Sequence, residues 1–168
     1  MKILVLTNND IGLYNFRKEL LQQLIQAGNE VYISLPYGEK VKLLEDMGCV
    51  YVKSDLDRRG INPLTDIRLF NRYLAIIKSI KPDKVITYTI KPNIYGCLAC
   101  RLKKVKSYAN ITGLGTAFQG DGWLTRLVTF MYKIAFKKVE KVFFENKENR
   151  DIIVHKNIIE KERTCCLN

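Results

Sequence analysis

The chain has 168 residues, 47% of them hydrophobic, which is enough to bury the core of one domain of ordinary size. Its 28 lysines and arginines against 17 aspartates and glutamates give a formal charge of +11. This balance favours anionic partners: phosphorylated small molecules, an anionic membrane surface or nucleic acid. The five cysteines form no spaced framework, which argues against a secreted disulfide scaffold. No run reaches the roughly 20 apolar residues of a spanning helix.

Apolar runs suited to buried strands alternate with stretches of helical periodicity along the whole chain. Strands are predicted at 2–7, 30–35, 49–53, 84–88, 106–110 and 141–145, and helices at 14–27, 38–47, 64–80, 93–103, 123–138 and 147–155. Residues 163–168 resemble the start of a further strand. The pattern predicts an α/β, Rossmann-like three-layer sandwich whose mostly parallel sheet is covered on both faces.

The turn after the first strand, residues 7–14 (TNNDIGLY), is the first candidate for a ligand site. It holds one glycine, so the G-x-G-x-x-G pattern of a dinucleotide site is missing. Asn9, Asp10 and the backbone around Gly12 could bond ligand hydroxyls or a phosphate. Asn and Asp equally suit a turn and a helix cap, and the sequence leaves both interpretations open.

Residues 88–96 (YTIKPNIYG) follow the fourth predicted strand and lead into a helix. Lys91 supplies a cation, and Asn93 supplies both a donor and an acceptor. The alternative is a solvated lysine on a capped helix that Pro92 starts. Ligands of open parallel sheets bind beyond the carboxyl ends of the strands, so function is favoured here.

Residues 110–118 (NITGLGTAF) follow the fifth predicted strand and form the neighbouring loop. Thr112 and Gly113 begin a glycine-rich stretch that continues to Gly120 and Gly122. Its backbone N–H groups could hold a phosphate or a sugar hydroxyl, although turn flexibility explains the glycines almost as well.

The predicted helix at 123–138 combines a broad apolar surface with Arg126, Lys133, Lys137 and Lys138. Such a helix could lie in an anionic membrane interface, with its cations at the headgroups. A helix that covers the sheet and has a snorkelling basic edge is the commoner arrangement.

The remaining reactive side chains form no evident catalytic group. Cys97 and Cys100 have redox-motif spacing but fall inside a predicted helix, where buried structural thiols are expected. No pair among the loop carboxylates has a spacing that fixes a general acid and base; these residues are Asp10, Asp55, Asp57, Asp66 and Asp121. The lone histidine, His155, is assigned no role.

Several of these segments together resemble the N-terminal half of family-4 glycosyltransferases. They are residues 1–7 (MKILVLT), 12–17, 88–96, 110–118 and 142–151 (VFFENKENRD), and the likeness extends over nearly the whole chain. It is closest to bacterial enzymes that build surface polysaccharide or lipopolysaccharide on a lipid carrier. The resemblance implies a GT-B fold, in which residues 1–168 form a single acceptor-binding domain. A C-terminal domain, absent from this chain, would bind the donor.

The resemblance also assigns residues to the cleft. They are Gly12, Lys91, Asn93, Thr112, Gly113 and Asn146. Gly12 and its neighbours would lie near the donor phosphate, and Lys91 and Asn93 would contact the acceptor. Thr112 and Gly113 would lie beside the reacting centre, with Asn146 on the hinge side. The single glycine of the first turn, and Glu145 where a Gln or Ser often precedes Asn146, depart from the commoner pattern.

The implied activity is hexosyl transfer from a nucleotide sugar to a lipid-linked or saccharide acceptor, with this fragment inactive alone. No metal, other cofactor or nucleic acid is expected. The implied location is cytoplasmic, with peripheral contact at the inner face of the plasma membrane. A non-catalytic Rossmann-like module that binds a nucleotide or phosphosugar is the alternative. A nucleic-acid-binding domain is favoured only by charge, because no reader motif is present.

Overall fold

The computed structural model of the chain describes residues 1–55, 62–115, 118 and 122–167. The strands are β1 (Lys2–Leu6), β2 (Glu30–Leu35), β3 (Val50–Lys53), β4 (Lys84–Tyr88), β5 (Lys106–Ile111), β6 (Lys141–Phe144) and β7 (Thr164–Cys166). The α-helices are α1 (Asp10–Gln26), α2 (Val41–Asp46), α3 (Pro63–Ile80), α4 (Cys97–Lys103), α5 (Trp123–Phe136) and α6 (Lys147–His155). Asp57, Gly120 and Asp121, named above as loop residues, lie outside the described residues.

The predicted strands are confirmed to within one residue, and β7 confirms the extra strand expected near the end of the chain. Three helix starts differ. Helix α2 begins at Val41 rather than at residue 38. Helix α1 begins at Asp10 rather than at residue 14, because Asn9 caps it. The helix expected at 93–103 begins as a π-helical turn, Pro92–Gly96, and continues as α4.

All seven strands run parallel in one sheet, in the order β3-β2-β1-β4-β5-β6-β7. The order reverses between β1 and β4: the chain first builds outward on one side of β1, and then returns to build on the other. At the carboxyl end of this central pair, Leu6 lies opposite Thr87. The Rossmann-like parallel sheet predicted from the sequence is therefore confirmed.

The helices divide between the two faces of the sheet according to the direction of each crossover. Helices α1 and α2 pack on one face, where Leu13, Leu21 and Leu44 meet β1 and β2. The other four helices share a continuous apolar layer on the opposite face, which includes Tyr73 of α3 and Tyr132 of α5. This division follows from right-handed connections. The chain moves in one direction across the sheet from β1 to β3 and in the opposite direction from β3 to β7, and the two directions place their helices on opposite faces.

One part of the sheet lacks a helix in the described residues, which corrects the expectation of cover on both faces. On the α1 side of β4–β6, Ile86, Tyr108 and Phe143 remain partly exposed. They line an open groove of about 530 Å³ together with Phe16 and other residues. The reversal of strand order explains this gap, because the helices that follow β4 all lie on the opposite face.

Candidate functional site

A cavity of about 330 Å³ lies at the carboxyl ends of the central strands, where the strand order reverses. The loops after neighbouring strands diverge at such a point and leave room for a ligand. Its walls come from the ends of four strands and from the first two turns of α1. The lining residues are Thr7, Asn8, Asn9, Gly12, Leu13, Phe16, Arg17, Tyr88, Thr89, Thr112 and Glu145.

A second pocket of about 290 Å³ adjoins the first and shares Asn8, Thr89 and Thr112 with it. It adds Lys91 and Gly113, among other residues of the two loops that follow β4 and β5. We refer to the two pockets together as the cleft. The structure therefore brings five of the sequence-predicted residues to one place: Asn9, Gly12, Lys91, Thr112 and Gly113.

The turn after β1 is largely occupied by capping the helix. The Asn9 side chain accepts a hydrogen bond from the Gly12 backbone N–H at 2.5 Å, so that N–H is not available to a phosphate. A Cβ at Gly12 would lie 2.8 Å from the same Asn9 oxygen, which explains why a glycine fits here. The helix start still points its dipole toward the cleft and favours negative charge.

Asp10 lies away from the cleft, which corrects the prediction that it lines the cleft together with Asn9. Its carboxylate is buried and accepts a hydrogen bond at 2.7 Å from the backbone N–H of Lys40. It also packs against Gly38, where an added Cβ would lie 2.3 Å from the carboxylate. Asp10 thus fixes the loop between β2 and α2 to the start of α1.

The chain leaves β4 through a strained residue. Thr89 has φ of 70°, a left-handed conformation that a β-branched residue rarely adopts. Its carbonyl accepts the Asn93 backbone N–H at 2.9 Å and starts the π-helical turn. Thr89 lines both pockets, and its hydroxyl has no hydrogen-bond partner among the described residues. Strain of this kind costs about 1–3 kcal/mol and is concentrated at functional sites.

Asn93 is buried beneath the cleft rather than exposed in it, with 1% of its surface accessible. It accepts a hydrogen bond from the Thr87 hydroxyl at 2.6 Å and donates to the Asn110 carbonyl at 2.9 Å. Asn110 in turn donates to the Thr87 carbonyl at 3.3 Å. These bonds join the ends of β4 and β5, so Asn93 supports the loop on which Lys91 stands.

Lys91 reaches the cleft as one half of an ion pair. Its ammonium lies 2.8 Å from Asp66 of α3, and the two side chains are 15% and 8% exposed. Burial, and then the adjacent Asp66 carboxylate, raises the pKa of Tyr95 above its usual value. The phenol therefore stays neutral beside this pair, and the cation is held in place from the α3 side.

A second cation, Arg17, was not identified from the sequence as a site residue. It forms an ion pair with Glu145 at the end of β6, and its guanidinium lies 5.4 Å from the centre of the Tyr88 ring. All three residues line the first pocket. Arg17 follows Leu13 by four residues, so the two side chains lie on the same side of a helix. This spacing would have indicated that Arg17 faces the cleft, but only if the helix had been predicted to start at Asp10.

Asn146, expected on the hinge side of the cleft, caps α6. Its side chain accepts the Asn149 backbone N–H at 2.8 Å, and the residue is exposed. It does not line either pocket of the cleft. Within the described residues, no group of three histidines, cysteines or carboxylates is placed to hold a metal ion.

The basic residues expected at a membrane surface all lie on the outside of the molecule. Arg126, Lys133, Lys137 and Lys138 are exposed on α5 and directly after it. Trp123 and Phe130 are also exposed, and their seven-residue spacing puts them on one side of this helix. No helix in the described part of the chain is long and apolar enough to cross a membrane.

The family model described as glycosyl transferase 4-like matches residues 2–146. A curated relative from Campylobacter jejuni, N,N'-diacetylbacillosaminyl-diphospho-undecaprenol alpha-1,3-N-acetylgalactosaminyltransferase, is 26% identical over 172 residues, which cover 99% of this chain and 45% of the relative. The chain therefore spans about half the length of this relative.

Two solved structures share the fold. A glycosyltransferase from Rickettsia africae has a TM-score of 0.73 and 17% identity, over 99% of this chain and 42% of that one. The Anabaena HepE protein in complex with UDP has a TM-score of 0.68 and 14% identity, over 99% of this chain and 43% of that one.

Proposed function

This chain belongs to the glycosyl transferase 4-like family, and from that premise we propose that it is the acceptor-binding half of a sugar transferase. The reaction moves a sugar from a nucleotide sugar to a lipid-linked or saccharide acceptor, in the synthesis of surface polysaccharide or lipopolysaccharide. The half that binds the donor lies in a further domain. The curated relative supports this proposal, because its name describes transfer to a diphospho-undecaprenol-linked sugar.

The cleft at the point where the strand order reverses is the observation that carries the proposal. Its two pockets, of about 330 and 290 Å³, lie side by side and open between the loops after β1, β4 and β5. Polar groups of the kind that orient a sugar line them, notably Asn8 and the hydroxyls of Thr89 and Thr112. Thr89, at the start of the loop after β4, has a strained left-handed conformation of the kind that is concentrated at functional sites.

The charges around the cleft suit an anionic ligand. Arg17 and Lys91 both line it; Arg17 is paired with Glu145, and Lys91 is paired with Asp66. Glycosyl transfer from a nucleotide sugar requires positive charge and dipoles at the departing diphosphate. The start of α1 adds a dipole of the same sign. These groups bind and orient, and we assign the groups that move protons to the domain that binds the donor.

We also propose peripheral contact with an anionic membrane, through α5. Trp123 and Phe130 form an exposed apolar side of the helix, and Arg126 and Lys133 lie next to it. Aromatic groups can enter the headgroup region while the cations meet lipid phosphates. This arrangement would bring the domain to an acceptor whose lipid part stays in the bilayer.

A transfer assay on the natural protein that contains this chain tests the proposal. The protein is incubated with a panel of UDP-sugars and with an N-acetylhexosamine joined through a diphosphate to a short prenyl chain. The expected product is heavier than the acceptor by one sugar residue in mass spectrometry, and it appears only when both substrates are present. Binding of the UDP-sugars without any transfer to saccharide acceptors, lipid-linked or free, would instead support a non-catalytic module.

A further inference from the structure

An apolar groove of about 340 Å³ runs beside the cleft, on the face of the sheet that carries α3, α4 and α5. The surface of its walls is almost entirely apolar, which distinguishes the groove from the polar cleft. Apart from Pro63 and Asp66, the residues that form them are Ile67, Phe70, Tyr95, Leu98, Leu127 and Met131. None of these has been given a role in the proposed reaction.

The groove and the cleft meet at one ion pair. Asp66 lines the groove, Lys91 lines the cleft, and the ammonium and carboxylate are 2.8 Å apart. The inner end of the groove therefore lies beside a cation that faces the sugar-binding side. A lysine ammonium has three donors, so Lys91 can keep Asp66 and still bind a phosphate oxygen.

One wall of the groove, formed by Leu127 and Met131, belongs to α5 and adjoins the exposed apolar side of that helix. Leu127 follows Trp123 by four residues and precedes Phe130 by three, so the three side chains share one side of the helix. Trp123 is 72% exposed and Ile67, on the α3 rim, is 57% exposed. Arg126 and Lys133 stand next to this rim and are also exposed.

This order of environments matches one kind of molecule. From the cleft outward it presents polar groups, a cation, an apolar groove, and then an apolar surface flanked by cations. We propose that the groove holds the first isoprenoid units of a polyprenyl diphosphate acceptor, with its diphosphate at Lys91 and its distal chain in the membrane. The inference rests on the proposed function and adds to it a site for the lipid part.

The single tryptophan makes the groove directly observable. Trp123 lies one turn from Leu127, so a prenyl chain that enters should change its emission. The 168-residue chain is titrated with inorganic diphosphate, isopentenyl diphosphate and farnesyl diphosphate, all below their aggregation concentrations. We expect the affinity to rise with each isoprene unit, because each addition buries more apolar surface. Equal affinity for inorganic and farnesyl diphosphate would overturn the inference.

A matched pair of variants locates the binding. Ile67→Gln changes the groove, whereas Leu102→Gln changes an aliphatic residue of similar exposure, 64%, on α4 outside it. Both sites are exposed, so both variants should fold. We expect Ile67→Gln to weaken farnesyl diphosphate binding by roughly tenfold, and Leu102→Gln to change it less than twofold. Equal effects would contradict the assignment.

Two further results separate this inference from others. Transfer by the natural protein to a water-soluble saccharide, with no preference for prenylated acceptors, would agree with the proposed function. It would refute the assignment of the groove to a prenyl chain. Detection of a dimer by sedimentation equilibrium, abolished by Ile67→Gln, would also refute that assignment, because the groove would then bind a second copy of the chain.

Discussion

Replacing Asn93 by alanine should destabilise the fold before it affects any ligand contact. The substitution removes two buried hydrogen bonds, to the Thr87 hydroxyl at 2.6 Å and to the Asn110 carbonyl at 2.9 Å. Each bond contributes about 1 kcal/mol net, and a buried partner left unsatisfied costs about 1–3 kcal/mol. We expect a loss of about 3 kcal/mol in the free energy of unfolding, or a fall of about 6–12 °C in Tm.

Urea unfolding followed by far-UV circular dichroism measures this loss. Thr87→Val serves as the partner variant, because it removes the hydroxyl and keeps the shape. Combined with Asn93→Ala, it should show a coupling of about 1 kcal/mol, as expected for two side chains that share a bond. Acceptor affinity at a temperature well below the midpoint should fall less than threefold. Stability within 1 kcal/mol of the parent together with lost acceptor binding would refute this reasoning, because it would make Asn93 a ligand contact.

Three other changes probe the surface, the second cation and the buried thiols. Reversing the charge of Lys133, Lys137 and Lys138 to glutamate should greatly reduce sedimentation with anionic vesicles, and unchanged binding would exclude α5 as the membrane contact. Glu145→Gln should cost less than about 1 kcal/mol in urea unfolding, because its ion pair is partly exposed; a loss above roughly 2 kcal/mol would show that the pair is structural. Burial raises the pKa of Cys97 to about 12. The unfolded thiol loses its proton near pH 8.5, so stability should fall as pH rises above that value, by up to about 1.4 kcal/mol per unit for this thiol. Constant stability between pH 8 and 10 would contradict this.

The sheet was predictable because its strands are apolar runs, and the position of the site followed from the carboxyl ends of those strands. Residues 84–88 were assigned without error, and the loop after them proved to line the cleft. The predicted start of α1 is four residues late, because the first turn of the helix, with Asp10 and Gly12, lacks the apolar spacing that indicates a helix. The Asn9 cap was the available signal.

The direction of individual side chains was not predictable in the loop after β4. The π-helical turn at Pro92–Gly96 inserts an extra residue relative to an α-helical turn. Asn93 is buried beneath the cleft, while Lys91 lines it. No local sequence pattern predicts such a turn or the left-handed φ of Thr89. The pair of Arg17 and Glu145 lies 128 positions apart in the chain, so only the fold brings it together.

We expect the acceptor to bind in the cleft formed by the loops after β1, β4 and β5. Gly113 lines this cleft, and an added side chain there would start in open space, so Gly113→Phe should fill the pocket without disturbing the fold. Gly122 is equally unobstructed and lies outside both the cleft and the groove, which makes Gly122→Phe the matched control.

The decisive measurement is the affinity of both variants and the parent chain for a saccharide joined through a diphosphate to a short prenyl chain. We expect at least a tenfold loss of affinity for Gly113→Phe and a change of less than twofold for Gly122→Phe. Parent-like affinity in a folded Gly113→Phe variant would contradict it, because the acceptor would then bind elsewhere.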